Sequence, residues 1–240
     1  MLKVSYSFRS AFVKTTCIAT LRATIAVTLL LAAPAAVAQP AQGWVVLFDG
    51  HSTSSWRGFR MTSFPTNCWV IDGDALKTVP GHEVDLVTRE PYQDFELELE
   101  WKVAVAANSG IMFHVTEAGK ETWETGPEMQ VVDDDNTDDG KDPLTSAGAL
   151  YDLVAPANKH LNPAGQWNRA RLLVKGHHVE HWLNGAKILE YELGSPEFKR
   201  LVAQTKFKDM PGFARAATGS IALQNHGGEV WFRNVRVRKL

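Results

Sequence analysis

Phe95-Glu96-Leu97-Glu98-Leu99-Glu100-Trp101-Lys102-Val103 alternates apolar and charged residues almost without a break. A helix would scatter these glutamates around its axis. A strand places them all on one face and the apolar residues on the other. Val230-Trp231-Phe232-Arg233-Asn234-Val235-Arg236-Val237-Arg238 alternates in the same way, with a slip near Asn234 that predicts a bulge. Val179–Leu183 and Lys187–Tyr191 flank Asn184-Gly185, a pair that accepts the positive φ angles of a type I′ turn. This stretch predicts a hairpin.

Shorter strands are expected at Val45–Phe48, Trp69–Ile71, Ile111–Val115, Met129–Val132, Ala149–Val154, Arg169–Val174 and Ser220–Gln224. Clusters of Gly, Pro, Asn and Asp separate them. One short helix is expected where Ser195 caps Pro196 and Phe198, Leu201 and Val202 form a stripe. Strands and helices do not alternate, so a doubly wound parallel sheet is excluded. The pattern predicts an all-β, two-sheet jelly-roll sandwich.

The N-terminus is unlike the rest. Met1–Ala38 carries Lys3, Arg9, Lys14 and Arg22 and no acid, and ends Ala36-Val37-Ala38 after an apolar run. That is the pattern of a cleaved secretory signal peptide, so a periplasmic or secreted protein is expected. The remainder, 39–240, reads as one domain. The 240-residue chain has a net charge of −2, and losing the four cations takes it to −6. An acidic domain argues against nucleic acid or other anionic polymers as partners. No later segment is long and apolar enough to span a membrane. Cys68 is left as a single thiol, so no internal disulfide is expected.

Several motifs invite a chemical reading. His177-His178-Val179-Glu180-His181 matches a metalloprotease pattern that needs a helix. On a strand, its outer histidines stand about 13 Å apart and cannot share one zinc. Asp133 to Gly140 imitates the start of a calcium loop but lacks the closing glutamate, and reads as a solvated acidic loop. Glu128 and Gln130 share one strand face, Val131 turns to the core, and Asp133 follows at the strand end. Gln224-Asn225-His226-Gly227 places a histidine, the side chain poised nearest neutrality, between amides and glycines. Trp101, Trp123, Trp167, Trp182 and Trp231 are expected mostly in the core, with sugar stacking as the alternative.

Taken in order, these landmarks resemble the 3-keto-disaccharide hydrolase domain family. They are Leu47-Phe48-Asp49-Gly50 with Trp56, Trp69 with Asp72-Gly73, Tyr92 to Leu97, and Asn108-Ser109-Gly110-Ile111. Glu128-Met129-Gln130, Gly148-Ala149-Leu150-Tyr151 with Ala155-Pro156, Trp167-Asn168, His181 to Gly185, Leu223 to Gly227 and Phe232 to Val235 complete the set. The resemblance implies a concanavalin-like jelly roll acting on glycosides oxidised at sugar carbon 3. His114 stands where many members carry Arg, and the loop from Asp133 to Thr145 is unusually acidic.

A ketone at carbon 3 acidifies the proton on carbon 2, so the glycosidic oxygen can leave by elimination and water can add back. This route needs a base, an enolate stabiliser and a leaving-group acid. The expected catalytic residues are Glu128 with His226 or His181. The expected sugar-binding residues are Asn108, His114, Gln130, Tyr151 and Gln224. A divalent metal held by Glu128, Asp133 and a histidine is compatible with the same residues. The substrate implies a sugar 3-dehydrogenase upstream. A carbohydrate-binding module on the same fold is the competing class, and a laminarinase-type glycosidase ranks behind it.

Overall fold

A computed structural model describes residues 43–240. The expected signal peptide, residues 1–38, lies outside the described residues. In chain order the strands are β1 (Val45–Phe48), β2 (Trp56–Gly58), β3 (Trp69–Asp72), β4 (Ala75–Thr78), β5 (Leu86–Thr88), β6 (Phe95–Val103), β7 (Asn108–Val115), β8 (Glu128–Val132), β9 (Asn168–Lys175), β10 (His178–Leu183), β11 (Ala186–Glu192), β12 (Ser220–Leu223) and β13 (Val230–Lys239). They form two antiparallel sheets. The larger runs β11-β10-β9-β6-β13-β4-β3, with β1 also paired to β13, and the smaller runs β2-β5-β12-β7-β8. This is the all-β jelly-roll sandwich that the alternation predicts.

β6 lies between β9 and β13 in the larger sheet. Its Leu97, Leu99 and Trp101 enter the core and meet Leu86, Ile111, Met129 and Leu223 from the smaller sheet. Its glutamates face outward between two basic strands. Glu98 pairs with Arg169 at 2.7 Å and Arg236 at 2.6 Å, and Glu100 pairs with Arg233 at 2.7 Å. Glu96 is buried and pairs with both Arg171 and Arg238. The bulge in β13 falls between Arg233 and Arg236, where Asn234 takes φ +52°. The β10–β11 hairpin turns through Asn184 (φ +48°) and Gly185 (φ +86°).

Three expectations are corrected. Ala149–Val154 is a tight turn rather than a strand, since Gly148 and Asp152 both adopt positive φ. Leu150 alone bridges to Met129. The short strands β2, β4 and β5 have too few residues to display a period. Of the five tryptophans, only Trp101 is fully buried. Trp182 and Trp231 occupy the outward positions of their strands, beside inward Leu183 and Phe232. There cations cover them, Arg171 at 4.7 Å and Lys102 at 4.3 Å from the ring centres.

The expected helix forms over Pro196–Val202 (α2), following a short turn of helix at Asp138–Lys141 (α1). Ser195 Oγ accepts the Phe198 amide proton at 3.0 Å, which caps α2. A 3₁₀ turn at Lys206–Asp209 follows. It brings Lys206 over the rings of Trp123 and Tyr151.

Candidate active site

The outer face of the smaller sheet carries the site. Cross-strand partners share a face, and Met112 pairs with both Glu128 and Ala222. Ala222 in turn pairs with Val87. Met112, Ala222 and Val87 therefore form an apolar floor, with Trp123 and Phe59 packed against it. Gly110 pairs with Gln130 on the same face. Beside this floor opens a cavity of about 160 Å³, lined by Asn108, Trp123, Glu128, Gln130, Asp139, Tyr151, Lys206, Gln224 and His226.

Gly110 is what admits the carboxyl of Glu128. A Cβ at Gly110 would collide with Glu128 Oε1. Glu128 is buried, and burial is the main force that pushes its carboxyl up to about 8. Asp85 and Asp139 add to this by repulsion, and Lys206 opposes it. At neutral pH this carboxyl is mostly protonated. Gln130 is 1% exposed, yet neither its Oε1 nor its Nε2 has a partner, and Asn108 Oδ1 has none either. Buried polar atoms are normally paired, and these three, on residues of the cavity wall, are not.

The other walls are held firmly. Asn108 Nδ2 donates to Asp139 Oδ2 at 2.7 Å. Tyr151 Oη stands 3.5 Å from Asp139 Oδ1. Burial, reinforced by Asp139 and Glu128, pushes the Tyr151 phenol up to about 12 and keeps it a hydrogen-bond donor. Ser109 Oγ donates to the Gln224 carbonyl at 2.7 Å. Asn225 turns the other way from Gln224 and His226. Its Nδ2 donates to the carbonyls of Cys68 (3.0 Å) and His82, and its own amide donates to Asp85 Oδ1 at 2.8 Å. Desolvation pushes Asp85 up to about 6, moderated by hydrogen bonds from Thr122 and the Asn225 amide.

The structure thus brings together six of the expected residues: Glu128, His226, Asn108, Gln130, Tyr151 and Gln224. It separates three others. His181 points inward beside Val179 and Leu183, with Nδ1 3.0 Å from the Gly148 carbonyl and Nε2 3.4 Å from Tyr191 Oη. Complete burial lowers it to about 4, so it is a neutral core residue. His114 lies at the opposite end of β7 from Asn108, about 20 Å along the strand. Its Nε2 meets the Gln93 carbonyl at 2.8 Å, and its ring packs on Phe95 and Phe113.

Asp133 is buried as a turn former. Its Oδ2 accepts from the Ala106 amide at 2.8 Å and from Asn136 Nδ2 at 2.9 Å, and its Oδ1 accepts from the Asp135 amide at 3.2 Å. The metal set Glu128, Asp133 and a histidine does not assemble. Neither does the acidic run converge on an ion. Asp134 pairs with Lys159, Thr137 caps α1, and Asp139 enters the cavity.

Asp139 and Lys206 are the cavity residues that sequence reasoning missed, and so is Asp85, which acts on Glu128 by its charge from outside the cavity wall. Asp139 was hidden in an acidic run that reads as solvated. Lys206 and Asp85 carry no local signal, since long-range folding alone brings them here.

Residues 43–238 match the family described as the 3-keto-alpha-glucoside-1,2-lyase-like domain. The chain belongs to that family. A 3-keto-disaccharide hydrolase from Bacteroides thetaiotaomicron is 32% identical over 231 residues, covering 83% of this chain and 79% of that protein. A crystal structure from Parabacteroides distasonis, provisionally described as a glycosyl hydrolase, is 33% identical with a TM-score of 0.77. It covers 82% of this chain and 94% of its own. A second from the same organism, at 23% identity and a TM-score of 0.65, shares the fold. Within the lyase-like family motifs of this chain, scaffold and chemistry are now separable. Trp56 donates to the Leu47 carbonyl at 2.9 Å and Trp69 to the Val84 carbonyl at 2.7 Å, which are framework bonds. Asn108, Glu128, Gln130, Gln224 and His226 face the cavity.

Proposed function

We propose that this chain cleaves the glycosidic bond of sugars already oxidised to a ketone at carbon 3, by elimination followed by hydration. The carrying observation is the buried Glu128 carboxyl beside three unpartnered polar atoms of Gln130 and Asn108 in one sugar-sized cavity. Family membership and the 3-keto-disaccharide hydrolase relative support the substrate class.

A base removes the carbon 2 proton, and its electron pair moves onto the carbon 3 oxygen as an enolate. The enolate then reforms the ketone, a carbon 1–carbon 2 double bond forms, and the carbon 1–oxygen bond breaks as the leaving oxygen takes a proton. Water adds its hydroxyl to carbon 1 and a proton returns to carbon 2. Glu128 and His226 carry these proton transfers. A carboxyl with its pKa raised toward neutrality is both a stronger base when ionised and a usable acid when protonated. Tyr151 and Lys206 offer a donor and a positive charge for the enolate oxygen. Gln130, Asn108 and Gln224 hydrogen-bond the ring hydroxyls.

The alternating apolar floor and mixed polar walls suit a neutral carbohydrate. The basic, acid-free leader expected over residues 1–38 supports export to the periplasm or beyond. A sugar 3-dehydrogenase, or another oxidant of secondary alcohols, must supply the ketone. The test is turnover of a 3-keto-disaccharide by wild-type protein, Glu128→Gln and His226→Ala. Loss in both variants is expected. If the wild-type protein binds the sugar but releases no monosaccharide, the chain is a binding module. If both variants keep wild-type turnover, this site is wrong.

A further inference from the structure

The cavity that holds Glu128 is not isolated. A second cavity of about 450 Å³ adjoins it, and Phe59, Arg60, Glu83, Lys120 and Glu121 are among its walls. The two cavities share three residues, Trp123, Gln224 and His226. The smaller cavity has the buried unpartnered amides and the space of one sugar ring. The larger is wider and has Phe59 and Trp123 among its walls with charges of both signs.

This asymmetry decides which part of a glycoside goes where. The ketone-bearing ring needs Glu128 and therefore occupies the smaller cavity. The bond that breaks joins that ring to its leaving group, so it must lie at the junction. Of the three junction residues, Trp123 and Gln224 have no proton to trade near neutrality. His226 carries the one imidazole among them, a side chain suited to general acid catalysis, and it is exposed at the mouth on the loop after β12.

We infer that the larger cavity is the leaving-group subsite for a neutral second sugar or aryl group, and that His226 is the acid that protonates the departing oxygen. The imidazolium gives its proton to that oxygen as the carbon 1–oxygen bond breaks. The neutral imidazole then takes a proton from water as the hydroxyl adds to carbon 1, which restores it. Mixed charge on Arg60, Lys120, Glu83 and Glu121 disfavours a strongly charged occupant, while Phe59 and Trp123 supply apolar aromatic surface for sugar C–H groups. The assignment rests on the elimination reading above and adds the direction in which the substrate lies.

Leaving-group dependence tests it. A sugar alcohol is a poor leaving group and needs an acid, whereas 4-nitrophenolate leaves unaided. Wild-type protein and His226→Ala are compared on a 3-keto-glucosyl-glucose and on 4-nitrophenyl 3-keto-glucoside. His226→Ala is expected to lose about 100-fold or more in kcat on the disaccharide and less than about fivefold on the nitrophenyl substrate. Phe59→Ala is expected to raise KM for the disaccharide several-fold more than KM for methyl 3-keto-glucoside. Equal losses of His226→Ala on both substrates would overturn the acid role. An unchanged disaccharide KM in Phe59→Ala, with the fold intact by thermal melting, would overturn the subsite. A wild-type protein that cleaves neither substrate would overturn the elimination reading itself, and this inference with it.

Discussion

Glu128→Gln should make the protein more stable at alkaline pH while removing its activity. The carboxyl sits at about 8 in the folded chain against 4.5 when exposed, because burial disfavours the charged form. Between those two values the folded state binds a proton that the unfolded state has released. Stability therefore falls as pH rises from about 4.5 to 8, and the loss is complete above 8. A shift of this size corresponds to roughly 5 kcal/mol. Glutamine has nearly the shape of the protonated carboxyl and never ionises. The variant should match the wild-type protein within about 1 kcal/mol at pH 4.5 and exceed it by several kcal/mol at pH 9. The assay is urea unfolding of both proteins across that range. Subtracting the two curves cancels the titration of more distant groups. For a domain of this size the gap corresponds to roughly 10 °C or more in Tm at pH 9. Parallel pH curves for the two proteins would refute the claim that Glu128 is held protonated by burial. A gain in stability joined to a loss of turnover is the behaviour of a residue kept for chemistry at the expense of folding.

Two further substitutions separate site from scaffold. Gly110→Ala places a methyl against Glu128 Oε1 and should cut kcat about 100-fold by displacing the carboxyl; steady-state rates with a thermal melt as control check it, and unchanged kcat sinks the claim that Gly110 makes that space. His181→Gln should leave the pH–rate profile unchanged but flatten the acid side of the stability profile. Its imidazole is lowered to about 4 by burial, so the wild-type protein loses roughly 3 kcal/mol as pH falls from 6.5 through 4; acid titrations followed by circular dichroism test this, and a shifted rate profile instead would return His181 to the chemistry.

The sandwich was legible because its strands report themselves locally. Each residue of Phe95–Val103 needs only its neighbours to declare a face, and the Asn184-Gly185 turn needs only its own backbone. The same alternation placed Glu128 and Gln130 on one face and Val131 on the other. It also held the information that His181 is internal, since it falls in register with Val179 and Leu183. Glu-rich β6 was informative about its face, yet only the structure shows that β9 and β13 supply its arginines.

The site was legible only in part, because a cavity is a relation between distant segments. β7, β8, the loop after β12, α1 and the turn at Lys206–Asp209 each contribute to one pocket. No local pattern tells that Asp139 leaves its acidic run to meet Asn108, or that Asp133, five residues after Glu128, spends both oxygens on backbone amides and Asn136. The sequence by itself determined strands, faces and family, which depend on short-range periodicity and residue order. The tertiary structure alone decided which side chains share a low-dielectric pocket, and hence which carboxyl is kept protonated and which histidine stands at the mouth. Burial and proximity set those properties, and both are made by contacts far apart in the chain.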